Sequence, residues 1–204
     1  MKVEDEYVWQ NYTAEYTAQL KEIERDDDNV FFITNYTAEN NVIDFHDNLH
    51  PNWKEIYQTV YELKPKTILE MGCGGCYHIK NVHTLLPEAK ITGVDLLRTQ
   101  LDFGRAFSKL PESIETYQLN CVQNKTQDQH EFVFSQAVVM HLSTENAVKM
   151  LANMRDSSSK YVMMVDGVKN HAGWYDMVKS VFGPEWEFTQ PNKFIDNSIL
   201  LIKK

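Results

Sequence analysis

The chain has 204 residues, of which 43% are apolar and 12% aromatic, and it carries a formal net charge of −9. This length and composition are typical of a single globular domain with a sizeable core, and no apolar run approaches the roughly 20 residues that span a bilayer. An acidic chain without a Lys/Arg cluster is poorly suited to tracking a phosphate backbone, so we expect neither a nucleic-acid partner nor a membrane one.

The opening sequence MKVEDEYVWQNY is acidic and aromatic, and it lacks the basic stretch and apolar core of a secretory signal. The cysteines, Cys73, Cys76 and Cys121, are too few for a disulfide framework and suit a reducing compartment. We therefore expect a cytoplasmic protein.

Residues 1–64 are rich in aromatic and acidic side chains and show helical spacing. Pro51 suits the first turn of a helix that carries Ile56 and Tyr57 on one face. This segment predicts a helical N-terminal cap on the remainder, residues 65–204, with the two parts forming one structural unit.

From about residue 67 onward, short apolar runs alternate with helical patterns, which predicts an α/β protein with a doubly wound, mostly parallel sheet. The last two strands are joined by a short connection and predict an antiparallel edge pair. Seven strands are predicted, at residues 67–71, 90–97, 114–119, 131–136, 160–166, 186–190 and 197–204.

A glycine-rich stretch, EMGCGGCYH from Glu70 to His78, lies between the first of these strands and a helix. Backbone at Gly72 and Gly74 can approach a ligand closely, and the following helix N-terminus offers oriented N–H groups. The dinucleotide pattern G-x-G-x-x-G would need a glycine where Tyr77 stands, which weakens an NAD interpretation.

The same stretch allows two other hypotheses, a Cys73/Cys76 redox pair and a zinc site completed by His78 and His83. Those four side chains are too bunched for the usual spacing of zinc ligands. The cysteines also lie inside a strand–loop–helix unit whose other features indicate nucleoside binding, so we expect no metal.

The second strand ends at Asp95, at the tip expected to lie beside the glycine loop. A carboxylate there can accept hydrogen bonds from both hydroxyls of a nucleoside ribose. NAD-dependent enzymes use the same arrangement, so Asp95 alone does not identify the cofactor.

Four segments in order, ILEMGCGGC, TGVDLL, QLNC and EFVFSQAVVMHLS, resemble class I S-adenosylmethionine (SAM)-dependent methyltransferases of the small-molecule type. The first motif of that family is an acidic residue, an apolar residue and then G-x-G-x-G. Glu70, Gly72 and Gly74 match it, and Cys76 stands where the family has its third glycine. The resemblance covers about residues 67–204.

The resemblance implies SAM as the cofactor and in-line transfer of its methyl group to a small-molecule acceptor. It implies that Asp95 binds the ribose and that Asn120 and Cys121 meet the adenine. The full set of implied cofactor-binding residues is Glu70, Gly72, Cys73, Gly74, Asp95, Leu96, Asn120, Cys121, Ser135 and Gln136, with Tyr12 supplied by the cap.

Candidate catalytic residues follow the fourth and fifth strands, because ligands of an open α/β sheet lie beyond the carboxyl ends of its strands. They are His171, Asp166 and His141. Each also has a structural interpretation: Asp166 as a helix cap, and His141 as a helix-start histidine bonded to backbone. A general base is needed only if the acceptor must lose a proton.

Other function classes stay open at this point. A non-catalytic SAM-binding module is compatible with the departure at Cys76. An aminopropyltransferase would need a pair of acidic residues that the sequence does not offer, and Tyr77 argues against an NAD(P)-dependent reductase. The fourth strand also lacks the Asp/Asn-Pro-Pro-Tyr motif of enzymes that methylate nucleobase or glutamine amides, so the sequence favours a methyltransferase acting on a small molecule.

Overall fold

The computed structural model describes residues 31–166, 171–195 and 198–204. The first part of this range holds a β-hairpin and one helix, and the rest alternates strands with helices. In chain order the elements are β1 (Tyr36–Glu39), β2 (Val42–Phe45), α1 (Pro51–Leu63), β3 (Thr67–Met71), α2 (Tyr77–Leu85), β4 (Lys90–Asp95), α3 (Arg98–Phe107), β5 (Glu115–Gln118), β6 (His130–Gln136), a 3-10 helix (Val139–His141), α4 (Thr144–Asp156), β7 (Ser158–Val165), α5 (Trp174–Phe182), β8 (Trp186–Thr189) and β9 (Ser198–Lys203).

The main sheet has seven strands in the order β5-β4-β3-β6-β7-β9-β8. The strands from β5 to β7 run parallel, whereas β9 is antiparallel to both β7 and β8. This confirms the predicted doubly wound, mostly parallel sheet with an antiparallel edge pair. None of the described helices is long and apolar enough to cross a membrane.

The inner parallel strands β3, β4 and β6 are buried over most of their length, which explains their largely apolar sequences, whereas β5 at the edge is polar and partly exposed. On one face, Ile68 of β3 belongs to a core that includes Ile56 and Tyr57 of α1. On the other face, Leu69 belongs to a second core with Met150 of α4 and Val178 of α5. Strand alternation therefore sends neighbouring residues of β3 into two separate cores.

The prediction of a helical cap over residues 1–64 is wrong for the hairpin and correct for α1. Asn40 and Asn41 have φ values of 51° and 65°, so both adopt the left-handed conformation of a two-residue hairpin turn. Asparagine tolerates that conformation better than most residues, and it allows Glu39 to pair with Val42. The part of the cap at residues 1–30 lies outside the described residues.

Glu55 joins α1 to the connection between β8 and β9. Its side chain is fully buried, and its carboxylate accepts hydrogen bonds from the backbone N–H groups of Lys193 (3.0 Å) and Phe194 (2.6 Å). The hydroxyl of Ser198 lies 3.3 Å from the same carboxylate. These bonds satisfy backbone donors that no strand partner reaches, and they fix α1 against one end of the sheet.

Replacing Glu55 by alanine should lower the free energy of unfolding by about 2–4 kcal/mol, because two backbone N–H groups lose a charged acceptor in a buried place. Denaturant unfolding measures the change. Glu55→Gln keeps one acceptor oxygen and should cost less, and Glu88→Ala, at an exposed position, is the matched control. Equal losses for Glu55→Ala and Glu88→Ala would contradict this account of Glu55.

Candidate functional site

A cavity of about 190 Å³ opens where β3, β4, β5 and β6 end. This is the edge of the sheet at which an open α/β fold binds its ligands. Nine of the residues predicted to bind a cofactor line this cavity: Glu70, Gly72, Cys73, Gly74, Asp95, Leu96, Asn120, Cys121 and Gln136.

Hydrogen bonds hold the glycine loop against β4. The backbone N–H groups of Gly72 and Cys73 both donate to the carbonyl of Val94, at 2.8 and 3.0 Å. Gly72 has a φ of 82°, and a Cβ at this position would lie 2.4 Å from the side chain of Val138. Only glycine fits both the backbone conformation and the space, which is why the loop can pass so close to the segment after β6.

Cys76 is accommodated by a glycine on a different helix. It is the N-cap residue of α2 and has a φ of 62°, a conformation that a side chain rarely adopts. A Cβ on Gly104 of α3 would lie 2.7 Å from the Cys76 sulfur and 2.8 Å from the carbonyl oxygen of Gly74. The space for the Cys76 side chain is therefore provided by Gly104, and the loop keeps its course.

The thiols of Cys73 and Cys76 are both buried, and their sulfurs lie 3.9 Å apart. Burial and the neighbouring Cys76 raise the pKa of Cys73 well above its usual range, so this thiol stays protonated. A reactive cysteine needs the opposite shift. In the described part of the chain, no three His, Cys, Asp or Glu side chains are grouped so as to hold a metal ion.

Glu70 is a buried carboxyl group, and only one of its two oxygens has a hydrogen-bond partner among the described residues. The backbone N–H of Ile79 donates to it at the start of α2, where Cys76 offers no side-chain cap to any described residue. Its Oε2 atom is buried without a hydrogen-bond partner among the described residues. Burial raises the pKa of Glu70 well above its usual range, and the nearby Cys76 and Asp95 raise it further.

Asp95 lies across the loop from Glu70. Its two oxygens accept from the backbone N–H groups of Gly74 and Leu97, both at 3.0 Å. Burial raises the pKa of Asp95, while these backbone hydrogen bonds act in the opposite direction. Each carboxylate oxygen has a second lone pair, so Asp95 can still accept hydrogen bonds from a ligand.

Asn120 and Cys121 follow β5 at the far end of the cavity. The Asn120 side-chain oxygen accepts from the backbone N–H of Val122 at 3.0 Å, which folds this side chain into a local turn. Burial raises the pKa of Cys121 to about 12. The walls at this end are therefore largely apolar and uncharged, a suitable surface for a flat ring.

Two cavity residues, Tyr77 and His78, were not predicted as ligand-binding residues. They occupy the first turn of α2, directly after the glycine loop. That position was the available signal, because the first turn of a helix that follows such a loop faces the ligand. His78 Nδ1 lies 2.8 Å from the Tyr57 hydroxyl and Nε2 lies 3.4 Å from Gln136 Oε1, and burial lowers the pKa of His78 to about 3.

The predicted catalytic residues Asp166, His171 and His141 are not among the described residues that line the cavity. Asp166 is buried, and its carboxylate accepts from the backbone N–H of Met140 at 3.2 Å, at the 3-10 helix after β6. Burial raises the pKa of Asp166 to about 7. This hydrogen bond fits the interpretation of Asp166 as a helix cap, although the capped helix follows β6 rather than the fifth strand, and the catalytic role of Asp166 stays a prediction.

His171 is buried as well, with its ring stacked against Trp174 at a centroid distance of 5.7 Å and Nε2 lying 3.0 Å from the carbonyl of Val139. His141 lies at the end of the same 3-10 helix and is half-buried, which lowers its pKa. Asp166 and His171 thus both hold the segment behind the cavity wall.

Two predicted cofactor residues have other outcomes. Ser135 is fully buried and does not line the cavity, because neighbouring residues of a strand face opposite sides of the sheet and Gln136 takes the cavity side. Tyr12 lies outside the described residues.

Residues 68–159 match a family model described as a methyltransferase domain. The sequence matches none of the curated proteins with which it was compared.

Among solved structures, the chain is similar to a TehB-like SAM-dependent methyltransferase from Corynebacterium glutamicum, with a TM-score of 0.67 and 11% identity over 96% of this chain and 100% of that one. It is also similar to the methyltransferase domain of bacterial CtHen1, with a TM-score of 0.60 and 14% identity over 74% of this chain and 95% of that one. Human N-acetylserotonin methyltransferase in complex with SAM gives a TM-score of 0.59 and 12% identity over 74% of this chain and 51% of that one. At these identities the likeness is one of fold.

The fit between Cys76 and Gly104 predicts that Gly104→Ala lowers the free energy of unfolding by about 1–3 kcal/mol, because the added methyl group overlaps the sulfur and the loop backbone. Denaturant unfolding measures this. The double variant Cys76→Gly/Gly104→Ala should recover part of the loss, since one of the two overlaps is then absent. Thr99→Ala, exposed on the same helix, is the control, and purely additive effects of the two substitutions would contradict the direct contact.

The raised pKa of Glu70 predicts a pH dependence of stability. The folded protein binds this proton more tightly than the unfolded chain, so the contribution of Glu70 to stability is present below its ordinary pKa and is lost as pH rises toward the folded value. The stability of the native protein relative to Glu70→Gln should therefore fall by at least about 1 kcal/mol across that window.

Unfolding free energies of both proteins, measured from pH 4 to pH 8 in roughly one-unit steps, test this expectation. Taking the difference between the two cancels the titrating groups that do not interact with Glu70. Glu88→Gln, at an exposed site, should give a flat difference. A flat difference for Glu70→Gln would contradict the burial argument.

Proposed function

We propose that this chain, in which residues 68–159 match a methyltransferase domain, is a class I SAM-dependent methyltransferase that methylates a small molecule. The assignment of cofactor-binding residues rests on one observation. Oε2 of Glu70 is buried at the cavity beside the glycine loop and has no hydrogen-bond partner among the described residues. A buried acceptor without a donor is costly unless a ligand supplies one. The ammonium group of SAM is a donor of the required charge.

The residues present fit the rest of the cofactor as well. Asp95 would accept the ribose hydroxyls, because its carboxylate lies at the tip of the neighbouring strand and keeps lone pairs for a ligand. Leu119 and Val122, at the end of β5, would flank the adenine ring. Gly72 and Gly74 would let the backbone approach the ligand, since neither carries a side chain to obstruct it.

When bound, SAM supplies a methyl group on a sulfonium, which a nucleophile takes by in-line displacement. The contribution of the chain is to hold both partners in the attacking geometry, and such positioning accounts for ~7–11 kcal/mol of barrier lowering in well-oriented reactions. We infer that Asp166 and His171 contribute to this positioning indirectly, because their hydrogen bonds hold the 3-10 helix behind the cavity wall in place. His78 is a poor general base, because its pKa of about 3 leaves it little affinity for a proton.

A small acceptor is supported by the charge of −9, which disfavours nucleic acid. A cytoplasmic location is proposed on the three free cysteines, all of them buried. The non-catalytic alternative was based on Cys76, which stands where the family has a glycine. Because Gly104 leaves room for the Cys76 sulfur, this substitution does not favour the non-catalytic alternative.

Thermal unfolding with S-adenosylhomocysteine (SAH), SAM, decarboxylated SAM and NAD⁺ tests the cofactor. At ~100 times its dissociation constant a ligand adds ~2.7 kcal/mol of stability, so SAH and SAM should raise Tm by several degrees. Asp95→Ala should weaken SAH binding by ~1–3 kcal/mol through lost hydrogen bonds, whereas Asp102→Ala, exposed on α3, should not. Stabilisation by NAD⁺ alone would contradict the proposal.

The acceptor class is tested separately. Methyl-labelled SAM and the enzyme are incubated with a cell extract that has been divided by ultrafiltration into low-molecular-weight and macromolecular fractions. The label should be transferred in the small-molecule fraction, and the labelled product then identifies the acceptor by mass spectrometry. Transfer only to the macromolecular fraction would contradict the small-molecule proposal.

A further inference from the structure

A chain of hydrogen bonds runs from the segment before β1, through α1 and α2, to the cavity. Its first member is Asn81 of α2, which is fully buried. The Asn81 oxygen accepts from the backbone N–H of Ile33 at 2.9 Å, and its nitrogen donates to the carbonyl of Phe31 at 2.7 Å. A backbone N–H can only donate and a carbonyl can only accept, so these two bonds fix which way the Asn81 amide points.

The direction of the next two bonds follows from the first. The Asn81 nitrogen also donates to the Tyr57 hydroxyl at 2.7 Å, so that oxygen is an acceptor in this contact. Among the described residues, His78 Nδ1, 2.8 Å away, is the acceptor available to the single proton of Tyr57, and donation there keeps this buried hydroxyl satisfied. Nδ1 of His78 therefore carries no proton.

The protonation of His78 in turn determines how the Gln136 amide is oriented at the cavity. Burial keeps the ring neutral, and a neutral imidazole without a proton on Nδ1 must carry it on Nε2. Nε2 lies 3.4 Å from Oε1 of Gln136, so the ring holds the carbonyl end of that amide. The two N–H donors of Gln136 are left for the cavity, which this residue lines.

Glu70 supplies the complementary group at the same end of the cavity. It pairs with Phe134 across β3 and β6, two residues before Gln136, and its Oε2 has no partner among the described residues. The cavity thus presents a carboxyl group and an amide donor on neighbouring strands, and an ammonium beside Glu70 would favour its ionised form. An α-amino acid has the matching pair, an ammonium and a carboxylate, whereas Asp95 on the opposite neighbour of β3 marks the nucleoside end.

We propose that the hydrogen-bond chain Asn81–Tyr57–His78 is a positioning device that fixes the Gln136 amide as the donor for the carboxylate of the cofactor's amino-acid part. The proposal rests on the proposed function. Its members act through Gln136 and do not themselves touch the reacting atoms. Part of the cap, helix α1, is thereby coupled to recognition of the ligand.

The test compares two ligands that share a nucleoside. SAH contains the amino-acid part, and 5′-methylthioadenosine lacks it. Tyr57→Phe removes the hydroxyl proton that determines the direction of the hydrogen bonds in the chain. SAH should then bind roughly 10- to 100-fold more weakly, as for a lost hydrogen bond to a charged group. The affinity for 5′-methylthioadenosine should not change. Tyr61→Phe, on the same helix, is the matched control and should change neither affinity.

Gln136→Met covers the case in which Tyr57→Phe does not fold, because it removes the donor at a partly exposed position. It should cause the same selective loss of SAH affinity. If the chain acts through Gln136, the double variant Tyr57→Phe/Gln136→Met should bind SAH no more weakly than Gln136→Met alone. Additive losses would overturn the proposal.

Nitrogen-15 NMR of the ligand-free protein gives a readout that is independent of binding. His78, assigned with a His78→Asn variant, should show an unprotonated Nδ1 and a protonated Nε2, and Tyr57→Phe should change this tautomer. A proton on Nδ1 in the native protein would overturn the proposal, as would an unchanged ratio of SAH to 5′-methylthioadenosine affinity in Gln136→Met. Failure of the native protein to bind either ligand would instead refute the proposed function.

Discussion

The carbonyl of Val94 is the point on which the site depends. It accepts from two successive N–H groups of the glycine loop, and this holds the end of β3 beside the end of β4. Asp95, the next residue, then reaches Gly74 with its carboxylate. Because the loop is held from both sides, Glu70 and Asp95 face one cavity, although they are 25 positions apart in the chain. The nearby Asp95 in turn raises the pKa of Glu70 beyond the effect of burial.

The polar groups around the cavity fall into two kinds. Asp166, His171 and Glu55 are buried and bonded to backbone, and each holds a segment of irregular chain in place. Glu70 and Gln136 line the cavity, and each has a side-chain polar atom, Oε2 and the amide nitrogen respectively, that forms no hydrogen bond with a described residue. Burial and charge alone do not separate the two kinds, because Asp166 and Glu70 both have raised pKa values. Contact with the cavity does separate them, because the described residues that line it include Glu70 and Gln136 but not Asp166, His171 or Glu55.

The sequence predicted the features that depend on local patterns and missed those that depend on contacts between distant residues. Strand–helix alternation and the glycine loop depend on local patterns, so the sheet was predicted correctly and nine of the residues predicted to bind the cofactor lie at one cavity. The hairpin was missed because the Asn40–Asn41 turn depends on backbone conformation, which helical spacing in the neighbouring residues obscured. His171 and Asp166 looked catalytic because polar residues after a strand are common to active sites and to caps. The contact of Tyr57 with His78 joins two helices, and no pattern within either helix indicates it.

Glu70 also affects how long the protein survives. A carboxylate left short of a partner makes the empty protein less stable than an uncharged side chain would. A cation that binds there removes this deficit and adds its own binding free energy to that of folding. Proteases and chaperones act on the unfolded fraction, so the abundance of the enzyme should follow the supply of its cofactor.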